Sequence, residues 1–160
     1  MGIGKDNGLL FHLKKDLLHF KKETEGKMCV FGRKTYESLP VKPLPNRSTF
    51  ILTKDDSYKK LMQEHDNVFI YDDVEKILFV HDVIYNKNQD LYVCGGSEVN
   101  KLLMPYIDEM IITFVDADRE ADTFFPNIKD IDSNWNKETL DKFNDSGLDC
   151  KIIKFKKQVE

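Results

Sequence analysis

The stretch around Asp16 carries the side chain best suited to acid–base chemistry. In GLLFHLKKDLLHFKK, Leu13, Leu17 and Phe20 form an apolar stripe at about 100° per residue, and Asp16 lies on its edge. One interpretation is a solvated acid that pairs with a neighbouring lysine. The other is a partly buried carboxylate that binds a polar group of a ligand inside an apolar cleft. The pattern alone leaves both interpretations open.

Two glycine-containing turns could bind phosphate. In LYVCGGSEVNKLL an apolar strand leads through Gly95-Gly96 into a helix, and VFGRKTYESL repeats this design with Gly32 before Arg33 and Lys34. Backbone N–H groups exposed at such a turn bind anions, and glycine lets a pyrophosphate approach the main chain closely. Each turn alone is weak evidence, since capped surface helices have similar sequences. Two of them in one small chain raise the prospect of a dinucleotide.

Arg47 is the third candidate for ligand binding. It follows the stiff turn PLPN and could bind a substrate carboxylate through two hydrogen bonds, the alternative being an exposed surface arginine. The four histidines and three cysteines show no spacing typical of metal ligands. The sequence also lacks a Gly-x-Ser-x-Gly nucleophile motif. No metal site is therefore predicted.

Short apolar strands alternate with helices along the chain, and these elements must position the candidates. Strands are predicted at KMCVFG, STFILT, NVFIY, LYVCGG, EMIITFVDA and near LDCKIIKFK. Helices are predicted at 13–25, RKTYESL, DSYKKLMQEH, DDVEKILFVHDVIYN and SEVNKLLMP. This alternation is typical of an α/β fold with a largely parallel sheet. The length of 160 residues, without an internal linker, predicts a single domain over 1–160.

Composition limits the classes of partner. The 24 lysines and arginines against 28 acidic residues give a net charge of −4, which gives no reason to expect nucleic acid. The apolar runs are too short to cross a membrane, and no signal peptide precedes the first motif. Cys29 and Cys94 lie in apolar runs, as free thiols do. We therefore expect a cytoplasmic protein without a membrane partner.

Taken in order, these motifs resemble the dihydrofolate reductase family. The matching segments cover nearly the whole chain: IGKDNGLLFHLKKDLLHFK, MCVFGRKTYESL, PLPNR, LYVCGGSEV and ITFVDADREADTFFP. The resemblance implies a three-layer α-β-α fold with a mixed, mostly parallel central sheet. It also implies reduction of 7,8-dihydrofolate to 5,6,7,8-tetrahydrofolate, by hydride transfer from NADPH to C6 with protonation of N5. The implied partners are the small-molecule substrate and NADPH, and the implied state is a monomer.

The resemblance assigns substrate-binding roles residue by residue. Asp16 matches the acid that hydrogen-bonds the pteridine and assists protonation of N5, and Thr113 matches the threonine that supports this acid. Arg47 matches the arginine that holds the glutamate α-carboxylate of folate. The residues that match or lie beside the apolar walls around the pterin and benzoyl rings are Leu17, Phe20, Phe31, Leu39 and Leu44.

The resemblance also assigns a cofactor site. The residues that match the mobile loop over the nicotinamide include Gly4, Asn7 and Leu9. Those that match the two phosphate-binding turns are Gly32, Arg33, Lys34 and Thr35, and then Cys94, Gly95, Gly96, Ser97, Glu98 and Val99. Thr53 and Lys54 match the position that receives the adenosine 2′-phosphate.

Three departures from the family pattern define the alternatives. Phe11 stands where many members have tryptophan, and Asn100 replaces the usual tyrosine. Family members also have a central strand before the motif at Ile3, next to the strands near 91–94 and 109–115. The alternative is therefore an N-terminally truncated, weakly active or inactive homologue with a binding or structural role, whose sheet another segment or another chain completes. A third candidate, a reductase of a different pteridine or pyrimidine, is disfavoured by Asp16 and Arg47 together.

Overall fold

Ten strands and five α-helices make up the described part of the chain, residues 1–6, 8–86, 88–126 and 134–158 of this computed structural model. The strands are β1 (Gly2–Lys5), β2 (Gly8–Leu9), β3 (Met28–Gly32), β4 (Ser48–Leu52), β5 (Val68–Tyr71), β6 (Leu91–Val93), β7 (Glu109–Val115), β8 (Thr123–Phe124), β9 (Trp135–Asp145) and β10 (Leu148–Lys157). The helices are α1 (Lys14–Thr24), α2 (Arg33–Glu37), α3 (Leu61–Glu64), α4 (Val74–Phe79) and α5 (Ser97–Leu103). Short 3₁₀ segments occupy Asp56–Lys60 and Met104–Tyr106, and a π-helical turn occupies Val80–Ile84.

The chain divides into two units, which we name by their place in the sequence. The terminal unit comprises residues 1–20 and 104–160, and the central unit comprises residues 21–103. The first boundary falls within α1. The single domain over 1–160 remains a prediction. No helix in the described ranges combines the length and apolar character needed to cross a bilayer.

The central unit is built on a parallel sheet with strand order β5-β4-β3-β6. One face carries Met28, Val30 and Phe50, which pack with Ile77 and Leu103 in a core where each is at most 1% exposed. The other face is buried as well, because Cys29 and Thr49 are fully inaccessible. Burial on both faces explains why strands such as MCVF are continuously apolar instead of alternating.

The terminal unit contains two antiparallel sheets, β7-β10-β9 and β2-β1-β8. A two-residue turn joins β9 to β10, with Ser146 at φ 56° and Gly147 at φ 80°. Two consecutive left-handed residues are what tight hairpins require, and glycine adopts that conformation without steric cost. Strand β10 confirms the strand predicted near LDCKIIKFK. Strand β9 was not predicted, because most of its residues are polar and exposed.

Several predicted elements differ in detail from the structure. The helix predicted in DSYKKLMQEH is mostly a 3₁₀ segment followed by the short α3, and the helix predicted after Asp72 changes at Val80 into the π-helical turn. Residues around Gly4 form the paired strands β1 and β2, where the sequence predicted a loop. Within the described residues, β6 pairs with β3 alone and β7 with β10 alone, so each has one edge without a ladder partner.

Candidate active site

Asp16 lies in the first turn of α1, and its side chain is half-buried. Thr113, in the middle of β7, donates a hydrogen bond from Oγ1 to Asp16 Oδ1 at 2.5 Å. No ion pair joins Asp16 to a lysine within the part of the chain that the structure describes. This environment supports the partly buried carboxylate over the solvated ion pair. Thr113 thus hydrogen-bonds only Oδ1 of the carboxylate and does not bond Oδ2.

The β9–β10 hairpin fixes the helix end that carries this acid. The backbone N–H of Lys15 donates to Asp145 Oδ2 at 2.9 Å, and Lys15 Nζ donates to the Asn144 carbonyl oxygen at 2.9 Å. The first N–H groups of a helix lack partners within the helix, so Asp145 satisfies one of them from outside. The hydrogen bond from Lys15 lowers the pKa of Asp145. Asp16 is therefore the next residue after Lys15, which the hairpin holds in place.

The apolar residues assigned to the substrate site differ in exposure. In the terminal unit, Leu17 is 46% exposed and Phe20 is half-buried. In the central unit, Leu39 and Leu44 are half-buried, whereas Phe31 is 1% exposed. Leu17 thus offers apolar surface to a ligand, and Phe31 belongs to the buried face of the sheet.

Arg47 is buried in the central unit with one donor lacking a partner. It is 5% exposed, its Nη2 donates to the Lys21 carbonyl oxygen at 3.4 Å, and its Nε has no hydrogen-bond partner. It lines a shallow cavity of about 360 Å³ with Gly26, Asn46, Ser48 and Asn67. A buried donor without a partner costs free energy, so an anionic group that reached it would gain more than at a solvated arginine. The surface-arginine interpretation is wrong.

The two predicted phosphate-binding turns lie side by side in the central unit. Strands β3 and β6 are parallel neighbours, so their carboxyl ends share one edge of the sheet. Gly32 donates its N–H to the Gly95 carbonyl oxygen at 2.8 Å, which ties the turns together directly. The strand order also reverses between β3 and β6, because β4 lies on one side of β3 and β6 on the other. In open α/β sheets, ligands bind outside the carboxyl ends of strands at such a switch point.

Close packing and a left-handed backbone conformation explain the glycines at these turns. Gly95 has φ +102°, a conformation that residues with side chains rarely adopt, and the Gly95–Gly96 peptide bond is cis. A Cβ on Gly96 would lie 3.0 Å from Thr35 Oγ1, and a Cβ on Gly32 would lie 3.2 Å from Val99 Cγ2. The two turns therefore pack closely at Gly32 and Gly96, and we call the pair the glycine cradle.

Cationic and hydroxyl side chains follow β3 and β4 at the same edge of the sheet. Lys34 and Lys54 are exposed, and Arg33 forms an ion pair with Glu37 at 3.3 Å. Thr53 Oγ1 accepts a hydrogen bond from the Asp55 N–H at 3.1 Å. Hydrogen bonds from Ser57 are the main reason that the pKa of Asp55 is lowered, and the charge of Arg33 contributes to that shift. Arg33 is therefore close enough to act on the loop after β4.

Cys94, immediately before the second turn, is in contact with another thiol. Its side chain hydrogen-bonds Cys29 of β3, which lowers the pKa of Cys29 and raises that of Cys94 well above its ordinary value. Burial also raises the pKa of Cys94. Cys94 Sγ also donates to the Tyr92 carbonyl oxygen at 3.6 Å.

Comparison with known proteins identifies the family behind these features. The family model for dihydrofolate reductase matches residues 1–157. The chain belongs to the dihydrofolate reductase family. The dihydrofolate reductase of Haemophilus influenzae is 34% identical over 134 residues, covering 83% of this chain and 73% of that protein. That of Bacillus subtilis is 34% identical over 133 residues, covering 83% and 72%.

A solved member of the dihydrofolate reductase family has the same fold. The structure of the Enterococcus faecalis enzyme, complexed with NADP(H) and RAB-propyl, is 32% identical to this chain with a TM-score of 0.79. The matched region covers 98% of this chain and 89% of the Enterococcus faecalis chain. The predicted α/β fold class and the predicted enzyme class are thereby confirmed. The matches favour the reductase over the binding or structural alternative.

Two of the dihydrofolate reductase loop residues predicted to contact the cofactor have a defined place in the terminal unit, and Asn7 lies outside the described residues. Gly4 of β1 pairs with Leu9 of β2, and Leu9 is 53% exposed. A Cβ on Gly4 would lie 2.7 Å from the carbonyl oxygen of Gly8, so only glycine fits there. The loop is therefore a narrow hairpin that presents an apolar side chain to solvent.

Sequence reasoning missed the residues that hold this hairpin. Asp122 Oδ2 accepts a hydrogen bond from the Asp6 N–H at 2.9 Å, and this bond lowers the pKa of Asp122. Arg119 stacks over the ring of Phe11 at 4.5 Å and donates to the Leu10 carbonyl oxygen at 3.3 Å. The segment DADREADTFFP carries part of the dihydrofolate reductase resemblance, but no local pattern indicates its contacts to residues over 100 positions away.

Proposed function

We propose that this chain reduces 7,8-dihydrofolate to 5,6,7,8-tetrahydrofolate with NADPH, using Asp16 to bind the pteridine. The observation that carries this proposal is the half-buried Asp16 carboxylate with Thr113 donating to one of its oxygens. A carboxylate fixed by a hydroxyl on one oxygen can accept an N–H donor of a ligand on the other. Membership of the dihydrofolate reductase family supplies the reaction.

The central unit fits NADPH. The glycine cradle lies at the switch point, where backbone N–H groups can bind a pyrophosphate, and side chains at Gly32 and Gly96 would crowd their neighbours. The proposed pyrophosphate-binding residues are Gly32, Thr35, Gly95, Gly96, Ser97, Glu98 and Val99, with Cys94 at the entrance to the second turn. Arg33 and Lys34 belong to the first phosphate-binding turn, and Thr53 and Lys54 receive the 2′-phosphate, because guanidinium, ammonium and hydroxyl donors suit phosphate groups. When bound, NADPH would supply the hydride from its nicotinamide ring, and we assign the loop with Gly4, Asn7 and Leu9 to binding that ring.

The chain's own residues position the substrate and control its proton. Asp16 accepts hydrogen bonds from the pteridine amino group and ring N–H, and assists delivery of a proton to N5, through water. Positioned general acids contribute roughly 10²- to 10⁴-fold to a rate. Arg47 binds the glutamate α-carboxylate, for which its unpartnered Nε is a donor. The apolar residues that exclude water are Leu17, Phe20, Phe31, Leu39 and Leu44.

Asp16→Asn tests the proposal, since it keeps the shape of the side chain and removes its charge. We expect kcat/KM for dihydrofolate to fall by roughly 10²- to 10⁴-fold, while the Kd of NADPH stays the same. The loss of NADPH absorbance measures turnover, and quenching of protein fluorescence measures cofactor binding. Asp66→Asn, at an exposed position, is the matched control. Full activity in Asp16→Asn with dihydrofolate would overturn the assignment of this acid.

The proposed setting of the reductase is the cytoplasm, as a monomer without nucleic-acid partners. The three free cysteines and the net charge of −4 support this setting. Light scattering at assay concentrations measures the oligomeric state, and a dimer mass would contradict the monomer.

A further inference from the structure

Two polar residues lie next to each other where neighbouring strands of the central sheet begin. Arg47 immediately precedes β4, and Asn67 immediately precedes β5. The two strands are parallel, with Thr49 paired to Val68, so both residues lie at the edge formed by the amino ends of the strands. The glycine cradle lies at the carboxyl ends, on the opposite edge. A substitution at Asn67 therefore acts on the surroundings of Arg47 and leaves the cradle in place.

Asn67 bonds the start of β4 through both its side chain and its main chain. Its Nδ2 donates to the Arg47 carbonyl oxygen at 2.9 Å, and its own carbonyl oxygen accepts from the Thr49 N–H at 2.8 Å. Asn67 is half-buried, so water does not readily replace its amide as a donor. The bond to Thr49 belongs to the main chain and remains in every substitution at this position. The side-chain bond can therefore be removed by itself.

The turn before β3 holds the other side of the same segment. The Gly26 N–H donates to the Asn46 carbonyl oxygen at 2.7 Å, and the Ser48 N–H donates to the Lys27 carbonyl oxygen at 3.1 Å. Asn46 has φ 57°, in the left-handed region that asparagine adopts more readily than most residues. The main chain is thus fixed immediately before and after Arg47.

The guanidinium of Arg47 has weaker support than the main chain that carries it. Its Nη2 donates to the Lys21 carbonyl oxygen at 3.4 Å, beyond the usual range of about 2.7–3.2 Å, and its Nε has no partner among the described residues. The side chain is 5% exposed, so the surrounding protein limits the conformations that it can adopt. The place of the guanidinium therefore follows from the position of the Arg47 main chain, which Asn67 helps to fix.

We propose that Asn67 is a positioning residue for the carboxylate end of the substrate. Through its bond to the Arg47 carbonyl oxygen, it sets the position from which the guanidinium binds the glutamate α-carboxylate of dihydrofolate. The inference rests on the proposed function, in which Arg47 binds that carboxylate. An amide suits this position, because it donates to the carbonyl oxygen without adding charge beside the guanidinium. A carboxylate there would repel the carbonyl oxygen and compete with the substrate for Arg47.

Titration calorimetry with two ligands that share a pterin ring tests this role. Folate carries the glutamate carboxylates, and 6-methylpterin lacks them. We expect Asn67→Ala to raise the Kd of folate by roughly fivefold to tenfold, the change that loss of one ordinary hydrogen bond produces. The Kd values of 6-methylpterin and NADPH should stay the same.

Two further variants control for shape and charge. Asn67→Asp keeps the shape of the side chain, removes the donor and adds a negative charge, so it should weaken folate at least as much as Asn67→Ala. Asn88→Asp makes the same chemical change at an exposed position of the central unit and should leave the Kd of folate unchanged.

Steady-state kinetics provide a second measurement of the same selectivity. With dihydrofolate, Asn67→Ala should raise KM and leave kcat unchanged, because the bond to the carboxylate is the same in the ground state and the transition state. With 6-methyl-7,8-dihydropterin, which has no carboxylate, neither constant should change. If the parent chain reduced neither substrate, the proposed reaction would fail, while the Kd comparison would still test Asn67.

A double substitution distinguishes positioning of Arg47 from general support of the fold. In an Arg47→Gln background, Asn67→Ala should leave the Kd of folate unchanged, because both residues act on the same bond to the ligand. Urea unfolding of each variant shows whether it is folded under the assay conditions. Unchanged folate affinity in folded Asn67→Ala would overturn the inference. So would equal weakening of folate and 6-methylpterin, or a full effect of Asn67→Ala in the Arg47→Gln background.

Discussion

Replacing Thr113 with valine tests how far Asp16 depends on its hydroxyl partner. Valine has nearly the volume of threonine and suits the middle of β7, so the change removes one hydrogen bond and little else. The bond lost is the 2.5 Å contact from Thr113 Oγ1 to Asp16 Oδ1. We expect weaker catalysis with an intact fold, because the carboxylate loses the donor that orients it.

The expected magnitude follows from the nature and burial of this bond. A hydrogen bond to a charged group contributes about 1.5–3 kcal/mol. Both side chains are half-buried, so the lower end applies, and about 1.5 kcal/mol corresponds to roughly a tenfold change in rate. We therefore expect kcat/KM for dihydrofolate to fall by about tenfold in Thr113→Val. The Kd of NADPH should not change.

Steady-state assays of NADPH oxidation, with the free energy of unfolding measured in urea, distinguish catalysis from stability. Thr113→Ser keeps the donor oxygen and should retain most of the activity. Thr139→Val makes the same chemical change at an exposed position of β9 and serves as the matched control. If Thr113→Val kept the kcat/KM of Thr139→Val, the reasoning that Thr113 orients the acid would be refuted.

The remaining predictions concern the cofactor cradle, the buried arginine and the helix anchor. Gly96→Val places a side chain against Thr35 Oγ1, and such overpacking costs about 1–3 kcal/mol. We expect the Kd of NADPH, measured by fluorescence titration, to rise by roughly tenfold or more. An unchanged Kd would contradict the role of the glycine cradle in cofactor binding. Arg47→Gln should raise KM for dihydrofolate and leave the Kd of NADPH unchanged, whereas equal weakening of both ligands would show a structural role. Because the hydrogen bond from Lys15 lowers the pKa of Asp145, its stabilisation is present above the unfolded pKa of about 3.9 and is lost as pH falls through the folded pKa. The difference in unfolding free energy between the parent and Asp145→Asn should therefore shrink in that acid range in urea titrations, and a pH-independent difference would count against this anchor.

Local patterns sufficed for the strands of the central unit and for its turns. Runs such as MCVF are buried on both faces, so continuous apolarity marked them reliably. Gly32 and Gly95-Gly96 were identifiable because a tight turn after a strand favours glycine as a residue type. These features depend on neighbours in sequence or on residue type, which a single sequence displays.

Features that depend on distant partners could not be predicted from residue patterns. Strand β9 is mostly polar and is held by its pairing with β10, and only the Ser146-Gly147 turn signalled a hairpin. The partnership of Thr113 with Asp16 spans 97 positions and came from the family resemblance alone. Arg47 is buried, which contradicts the interpretation as a surface arginine. Its burial could not be predicted, because the local sequence does not indicate where the end of a long polar side chain lies.

The anchoring of α1 by the β9–β10 hairpin has a consequence for how the chain folds. Lys15 and Asp145 are 130 positions apart, so their hydrogen bond closes one of the longest loops available in this sequence. Such contacts form late, because the chain entropy of a long loop opposes them until other structure is in place. During synthesis, the helix start that carries Asp16 leaves the ribosome before the hairpin does. The acid should therefore reach its final position only near the end of folding, after the central sheet has formed.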